Sequence, residues 1–191
     1  APRRLEVMDP QQRLLIEATR SAIQDAGFEE RGFDRSRSGV FVGFSTSEFK
    51  NVVGARVHAM QMAGGDFGAA AASQELRSLL MELASRVVPM RAFTLSGSLG
   101  ALAAASISQT FNLGGPSYTI DAACASALVA VHDAVAQLRA HLVDFAFAGG
   151  AYLNLTPEHL VAFTRIGAIS PSGACRPFDA RADGFVQSDG I

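Results

Sequence analysis

The 191-residue sequence is short of charged residues, cysteine and tryptophan. Charged side chains make up 18% of the chain and give a formal net charge of −2. Without a basic excess the protein has little with which to neutralise phosphates, so a nucleic-acid partner is not expected. The hydrophobic share of 49% argues against a disordered chain. The low charge content also predicts that another subunit, domain or segment covers much of the surface.

The two cysteines, Cys124 and Cys175, lie far apart in the sequence. They cannot form a disulfide framework, and they make no CxxC pair of the kind that holds structural zinc. We therefore expect no metal site, and a reduced, cytoplasmic setting is favoured. The longest apolar stretch, residues 99–107, is far shorter than the ~18–20 residues of a membrane span. The first residues show no signal-peptide pattern.

Alternating helical and strand-like segments predict an α/β layered architecture. Asp9 and Pro10 have the pattern of a helix N-terminus, and Gly27 is a suitable stop. Strands are predicted over 38–44, 117–122 and 143–148, and helices over 10–26, 74–88, 98–111 and from 124 onward, with 45–68 as loop containing some helix. No strand precedes the first helix and no closing element follows residue 182. We therefore expect the chain to be the interior of a larger domain, with a complete small domain as the alternative.

Cys124 follows the predicted strand 117–122 directly and marks the start of the next helix. A thiol at a helix N-terminus lies at the positive end of the helix dipole, which favours the reactive thiolate. Backbone N–H groups there can also stabilise the oxyanion of a tetrahedral intermediate. The helix carries one apolar stripe, predicted to be buried, made of Cys124, Leu128, Val131, Val135 and Leu138. A buried free cysteine that acts as a small hydrophobic side chain is the alternative.

A nucleophile needs a base, and none of the four histidines is placed to serve Cys124. His132 lies eight residues along the same helix, about 12 Å away along its axis. His58 falls in the aperiodic segment, His141 near the helix end, and His159 in the first turn of a helix that Thr156 is expected to cap. The partners of Cys124 in proton transfer are therefore expected outside this chain. Cys175 lies in a loop-like stretch and is expected to be inert.

Five motifs resemble, in order, those of the β-ketoacyl synthases, the ketosynthase domains of polyketide and fatty-acid synthases. They are MDPQQRLLIE at 8–17, GGPS at 114–117 with DAACASAL at 121–128, AGG at 148–150, SPSG at 170–173 and CRPFDARADGFV at 175–186. Modular and iterative polyketide synthases, including enediyne synthases, are the most similar. The resemblance covers almost the whole chain but about half of such a domain.

The resemblance implies a thiolase-like fold, layered α-β-α-β-α, of which this chain is most of the N-terminal half. It implies that Cys124 takes an acyl chain from the phosphopantetheine arm of an acyl carrier protein, with no cofactor bound directly. Two histidines and a lysine beyond residue 191 would then support decarboxylative condensation with malonyl carrier protein. The resemblance also implies a homodimer with strand 117–122 near its axis, and neighbouring acyltransferase or other synthase domains. The 191 residues alone are expected to form no carbon–carbon bond.

Two positions depart from the family pattern. Ala122 stands where many members have threonine, and Asp189 stands where they have glutamate, which leaves the geometry of that loop open. Three alternatives remain: another thiolase-fold acyltransferase, a non-catalytic ketosynthase-like subunit, and an unrelated cysteine hydrolase. The RPFD motif at 176–179 disfavours the first and the presence of Cys124 disfavours the second. The third is disfavoured because Ala122 and Ser126 replace the glycines of a hydrolase nucleophile elbow.

Overall fold

Three parallel strands form the sheet at the centre of the part of the chain that the structure describes. The computed structural model describes residues 5–69 and 72–191. The strands are β1 (Ser38–Gly43), β2 (Ser117–Ile120) and β3 (Phe145–Gly150), in the order β2-β1-β3. Every residue of the central strand β1 is buried, as the continuous apolar run predicted. Gly43 aligns with both Ile120 and Gly150, so all three strands end at the same level.

The helices have the following bounds: α1 Pro10–Asp25, α2 Phe28–Arg31, α3 Glu48–Gly64, α4 Gln74–Arg86, α5 Thr94–Ser98, α6 Leu102–Phe111, α7 Ser126–Arg139 and α8 Glu158–Arg165. Helix α1 begins as predicted, because the Asp9 carboxylate accepts a 2.8 Å hydrogen bond from the Gln11 N–H and Pro10 opens the helix. Gly27, with φ +69°, follows its end.

Helices cover both faces of the sheet, which confirms the layered α/β architecture. On one face, α1 and α6 pack against β1 around Leu15, Val42 and Ile107. On the other face, Phe41 packs against Ala130 and Ala134 of α7. The alternation of side chains along β1 separates the two cores, since successive residues of a strand point to opposite faces.

Segment 45–68 is more regular than the sequence predicted. Helix α3 occupies Glu48–Gly64, with Ser47 as N-cap accepting a hydrogen bond from the Lys50 N–H and Gly65 at φ +103° at its end. The sequence shows no helical repeat of apolar residues here because only Glu48, Phe49 and Val53 of this helix are buried. A helix with so small a buried face needs no apolar stripe. The predicted helix 98–111 is also divided, since α5 ends at Ser98 and α6 begins at Leu102.

The predicted burial of the Cys124 stripe along α7 is wrong for this chain. Leu128, Val131, Val135 and Leu138 are all exposed, and the buried residues of α7 are Ser126, Ala130 and Ala134. Small side chains let the helix approach the sheet closely, so the large apolar side chains remain on the outer face. Periodicity located an apolar stripe correctly but assigned it to the wrong side of the helix.

Candidate active site

The candidate site lies at the carboxyl edge of the parallel sheet, where ligands of open α/β sheets usually bind. Each strand leads into a segment that carries a chemically active side chain. Ser45 follows β1, Cys124 follows β2 and Tyr152 follows β3. The common level of the strand ends brings these three segments to one side of the molecule.

Cys124 is exposed on a turn between β2 and α7. The helix begins at Ser126 rather than at Cys124, so the cysteine precedes the first helical turn by two residues. Ala123, just before it, has φ +49°, a left-handed conformation that is uncommon for a residue with a Cβ atom. The Asp121 carboxylate accepts a 3.0 Å hydrogen bond from the Ala123 N–H. The turn leaves Cys124 exposed in this chain, whereas the buried-cysteine alternative predicts a buried side chain.

Two serine hydroxyls hydrogen-bond to the backbone of this turn. Ser126 Oγ donates to the Ala123 carbonyl at 2.6 Å and accepts from the Ala122 N–H at 2.9 Å. Ser45 Oγ lies 2.9 Å from Ser126 Oγ and 3.2 Å from the Ala123 carbonyl oxygen. The end of β1 is thus connected through side chains to the turn that follows β2.

A cavity of about 330 Å³ adjoins this turn. Its walls include Ser45 and Lys50 from one side and Thr119 and Asp121 from the other. A larger cavity of about 620 Å³ is lined by α3 together with Pro89 and Met90 and does not include residues of the turn. The smaller, more polar cavity, lined by Asp121 from the start of the turn, is therefore the better candidate for binding a substrate group.

A second polar cluster is centred on the Glu48 carboxylate, whose side chain is 1% exposed. Glu48 Oε1 accepts from His159 Nδ1 at 2.7 Å and from the Tyr152 hydroxyl at 3.1 Å. Glu48 Oε2 accepts from the backbone N–H groups of Leu155 and Thr156, both at 2.6 Å, and from the Thr156 hydroxyl. Thr156 therefore bonds to Glu48 and does not cap α8 as predicted, since the cap position is Pro157.

Hydrogen bonding keeps the Glu48 carboxyl ionised despite its burial. Burial alone raises the pKa of Glu48, but the bonds from His159, Thr156 and Leu155 outweigh it and lower the pKa from 4.5 to about 2. Burial and the adjacent Glu48 carboxylate raise the pKa of Tyr152 to about 12, so its hydroxyl stays a donor. The cluster is a neutral tyrosine and a histidine around one buried carboxylate.

Sequence reasoning missed the buried glutamines of α1. Gln11 donates to the Thr46 carbonyl and accepts from the Leu153 N–H, so it links the segments that follow β1 and β3. Gln12 donates to the carbonyls of Gly97 and Leu99. Both side chains are fully buried. Two adjacent amide side chains at the start of an amphipathic helix were the feature of the sequence that could have indicated this role. On sequence alone they indicate only residues that favour a helix.

In residues 5–69 and 72–191, none of the four histidines hydrogen-bonds to Cys124. His132 lies within α7, His58 within α3 and His141 just beyond α7. His159 lies in the first turn of α8 and hydrogen-bonds to Glu48. Cys175 is exposed in a loop. Over these same ranges, no three or more His, Cys, Asp or Glu side chains are grouped to hold a metal ion, and no helix could span a membrane.

The replacement at position 189 retains a structural role for the carboxylate. Asp189 Oδ1 accepts from the backbone N–H of Asn154 at 2.8 Å and from its side-chain amide at 2.9 Å. These two bonds lower the pKa of Asp189. Tyr152 and Gly190 exchange two backbone hydrogen bonds beside it, so the loop is joined to the segment that follows β3.

A cysteine at the carboxyl edge of a parallel sheet with helices on both faces is found in several α/β folds, and comparison with solved structures identifies this one as thiolase-like. The ketosynthase from module 6 of the bacillaene synthase of Bacillus subtilis superposes with a TM-score of 0.69 at 31% identity, over 97% of this chain and 26% of that one. A ketosynthase domain from the oxazolomycin synthase of a Streptomyces species superposes with a TM-score of 0.67 at 25% identity, over 96% of this chain and 26% of that one.

The chain belongs to the β-ketoacyl synthase family, whose sequence model described as "Beta-ketoacyl synthase, N-terminal domain" matches residues 1–191. It is 34% identical over 183 residues, or 96% of its length, to the mycoketide-CoA synthase of Mycobacterium tuberculosis, of which it covers 4%. It is 32% identical over 190 residues to the polyketide synthase PksN of Bacillus subtilis, of which it covers 3%. The chain thus spans a small part of these relatives and about a quarter of the solved ketosynthase chains.

Proposed function

We propose that this chain provides the acyl-accepting part of a ketosynthase active site, with Cys124 as the nucleophile. The Cys124 thiolate attacks the thioester carbonyl of an acyl group carried on the phosphopantetheine of an acyl carrier protein. A bond forms between Sγ and the acyl carbon, the original carbon–sulfur bond breaks, and the phosphopantetheine thiol leaves with a proton. This covalent step separates acyl loading from carbon–carbon bond formation.

Condensation follows on the acylated enzyme. Malonyl carrier protein loses carbon dioxide, and the electron pair of the broken bond remains as an enolate. The enolate carbon attacks the Cys124 thioester, so a carbon–carbon bond forms, the Sγ–carbon bond breaks and the thiolate is restored. By family resemblance, the histidines that promote decarboxylation belong to polypeptide outside these 191 residues.

The observation that carries the proposal is the exposed Cys124 on a turn between strand and helix, three residues after Asp121, which lines the polar 330 Å³ cavity. A non-catalytic subunit has no use for a nucleophile held in this way. The family match supports ketosynthase chemistry over that of other thiolase-fold acyltransferases.

We further propose the partners of this site. An acyl carrier protein delivers both substrates, neighbouring acyltransferase or other synthase domains act before and after it, and two copies form a homodimer. The dimer is supported by β2, which is an edge strand of the described sheet, and by the exposed apolar face of α7 beside it. Two free, exposed cysteines suit a cytoplasmic setting.

Acyl mapping tests the assignment of Cys124. The complete protein is incubated with an acyl carrier protein that bears a short acyl thioester, and the adduct is located by mass spectrometry of peptides. We expect acylation on Cys124 and none on Cys175, because only Cys124 lies on the turn at the carboxyl edge of the sheet.

Two matched variants complete that experiment. Cys124→Ser should remove the fast acylation, and Cys175→Ser should leave it unchanged. Preferential acylation of Cys175, or an undiminished acylation rate in Cys124→Ser, would show that the nucleophile is misassigned.

A further inference from the structure

The geometry points to Ser126 and Ser45 as a pair of positioning residues that hold Cys124 in its reactive orientation. Neither hydroxyl hydrogen-bonds to the thiol. Both hydroxyls bond to the Ala123 carbonyl, in the peptide unit just before Cys124, and Ser126 also accepts from the Ala122 N–H. The relevance to catalysis rests on the proposed nucleophilic role of Cys124, whereas the positioning itself can be measured without it.

The hydrogen-bonding capacity of Ser126 is completely used. A serine hydroxyl has one proton to donate and two lone pairs to accept with. Its proton goes to the Ala123 carbonyl at 2.6 Å, and it accepts from the Ala122 N–H at 2.9 Å. The second lone pair is left for the Ser45 hydroxyl, also at 2.9 Å. Because Ser126 donates to the Ala123 carbonyl, it accepts from Ser45, whose single proton is shared between Ser126 Oγ at 2.9 Å and the Ala123 carbonyl oxygen at 3.2 Å.

The hydrogen-bond network stabilises a strained backbone conformation at Ala123. A left-handed alanine costs roughly 1–2 kcal/mol relative to an ordinary conformation, and Ala123 keeps φ +49°. Such conformations persist where the surroundings hold them in place, and they concentrate at functional sites. Relaxation of Ala123 would rotate the peptide that follows it, and that peptide sets the direction of the Cys124 side chain.

The pair also connects two elements that meet at the site. Ser126 is buried at the start of α7, while Ser45 is exposed beyond the end of β1. Close approach of these elements is confirmed independently at Gly43, where an added Cβ atom would lie 2.6 Å from the Ser126 carbonyl carbon. The turn is thus fixed relative to the sheet rather than only to its own helix.

The test measures alkylation of the two cysteines in one sample of the complete protein. Iodoacetamide is added in limiting amount, and the rates at Cys124 and Cys175 are followed by mass spectrometry. We expect Ser126→Ala to slow Cys124 by about tenfold, the effect of losing roughly one hydrogen bond's worth of free energy. Ser45→Ala should have a smaller effect, and Ser45→Thr, which keeps the hydroxyl, should restore the wild-type rate. The rate at Cys175 should stay constant throughout.

Non-additivity is the second readout. If the hydroxyls act as one network, Ser45→Ala should have little effect in a Ser126→Ala background. Ser85→Ala is the matched control, because Ser85 Oγ also donates to a carbonyl at 2.6 Å but lies on the distant helix α4. An unchanged Cys124:Cys175 ratio in both alanine variants overturns the proposal, as does equal slowing of the two cysteines. If Ser126→Ala does not fold, the proposal is tested by the Cys124 alkylation rates of Ser45→Ala and Ser45→Thr. Equal rates in these two variants would then overturn it. A Cys124 that depends on both serines yet is never acylated by carrier protein would preserve the positioning role and reject the proposed function.

Discussion

Single buried polar side chains organise the loops at the carboxyl edge of the sheet. Gln11 holds the segments after β1 and β3, Glu48 holds the segment before α8, and Ser126 holds the turn that presents Cys124. Each of these buried or nearly buried groups hydrogen-bonds to two or more backbone donors or acceptors, an arrangement that is costly to disturb.

Replacement of the Glu48 carboxylate should destabilise the protein in a pH-dependent way. Because the pKa of Glu48 is lowered from 4.5 to about 2, its stabilisation is fully present above pH 4.5 and is lost as the pH falls toward 2. We expect Glu48→Gln to lower the free energy of unfolding by about 2–3 kcal/mol at pH 7, on the scale of hydrogen bonds to a charged group. Urea unfolding at several pH values between 7 and 2 would measure the loss and its decline.

The control for this prediction is Glu17→Gln, which alters an exposed carboxylate of α1. It should change stability by less than about 0.5 kcal/mol at any pH. A Glu48→Gln protein as stable as wild type at pH 7, or a difference that grows as the pH falls, would contradict the proposed role of the ionised carboxylate.

Helix α7 can lie on the ends of the strands because the residues at the contact are small. An added Cβ atom at Gly43 would lie 2.5 Å from the Ala127 nitrogen, and one at Gly150 would lie 2.9 Å from the Ala127 Cβ atom. These contacts set the distance between the first turn of α7 and the sheet. They therefore also set the position of the Cys124 turn, which leads directly into that helix.

Gly43→Ala is expected to displace α7 and to destabilise the protein by about 1–3 kcal/mol, the usual cost of overpacking. The contacting atoms belong to backbone and cannot rotate away. Thermal unfolding and the alkylation rate of Cys124 should both report the change. Gly54→Ala is the matched control, because nothing lies within 4 Å of an added Cβ atom there and the residue is within α3. That variant should be neutral or more stable by up to about 1 kcal/mol. A Gly43→Ala protein that matches wild type in both measurements would refute this packing argument.

At the scale of the whole molecule, the main feature is an exposed apolar surface on α7. Leu128, Val131, Val135 and Leu138 form a continuous outer face on α7 next to the edge strand β2. Contiguous apolar patches of this kind usually mark interfaces. The low charge content of the sequence predicted covered surface, and this exposed apolar face is a candidate for part of it.

The proposed homodimer predicts a concentration-dependent protection of this region. Hydrogen exchange of residues 117–122 should slow when the complete protein is concentrated through its dimer dissociation constant. Leu128→Asp should raise that constant by about tenfold or more, since it places a charge where a leucine side chain is buried by the partner. Sedimentation analysis would measure the shift.

Ile166→Asp is the matched control for the dimer, because Ile166 is 74% exposed and Leu128 is 76% exposed. Ile166 follows α8 and belongs to neither β2 nor α7, so its replacement should not alter dimerisation. A protein that is monomeric at all concentrations, with residues 117–122 already protected, would argue against the dimer.

Local chemistry in the sequence was sufficient to predict the three strands, several of the helices and the nucleophile candidate, but not the helix α3 or the break between α5 and α6. Asp9 and Pro10 mark a helix start, β-branched and aromatic residues mark β1, and Cys124 follows a strand, because these patterns act within a few neighbouring residues. The family resemblance rested on the same short motifs and is confirmed over residues 1–191. The role of Cys124 and the extent of the parent domain stay predictions.

The tertiary structure alone decided which side of α7 is buried, how Glu48 is partnered and what Gln11 and Ser126 hold. Periodicity shows that a stripe is apolar, but burial depends on what lies opposite it. Glycines at the ends of β1 and β3 leave room for the face of α7 that carries small side chains to pack against the sheet. The partners of Glu48 are 104 to 111 residues away in sequence. Such contacts arise only when parallel strands align their ends, because register and not sequence proximity brings those loops together.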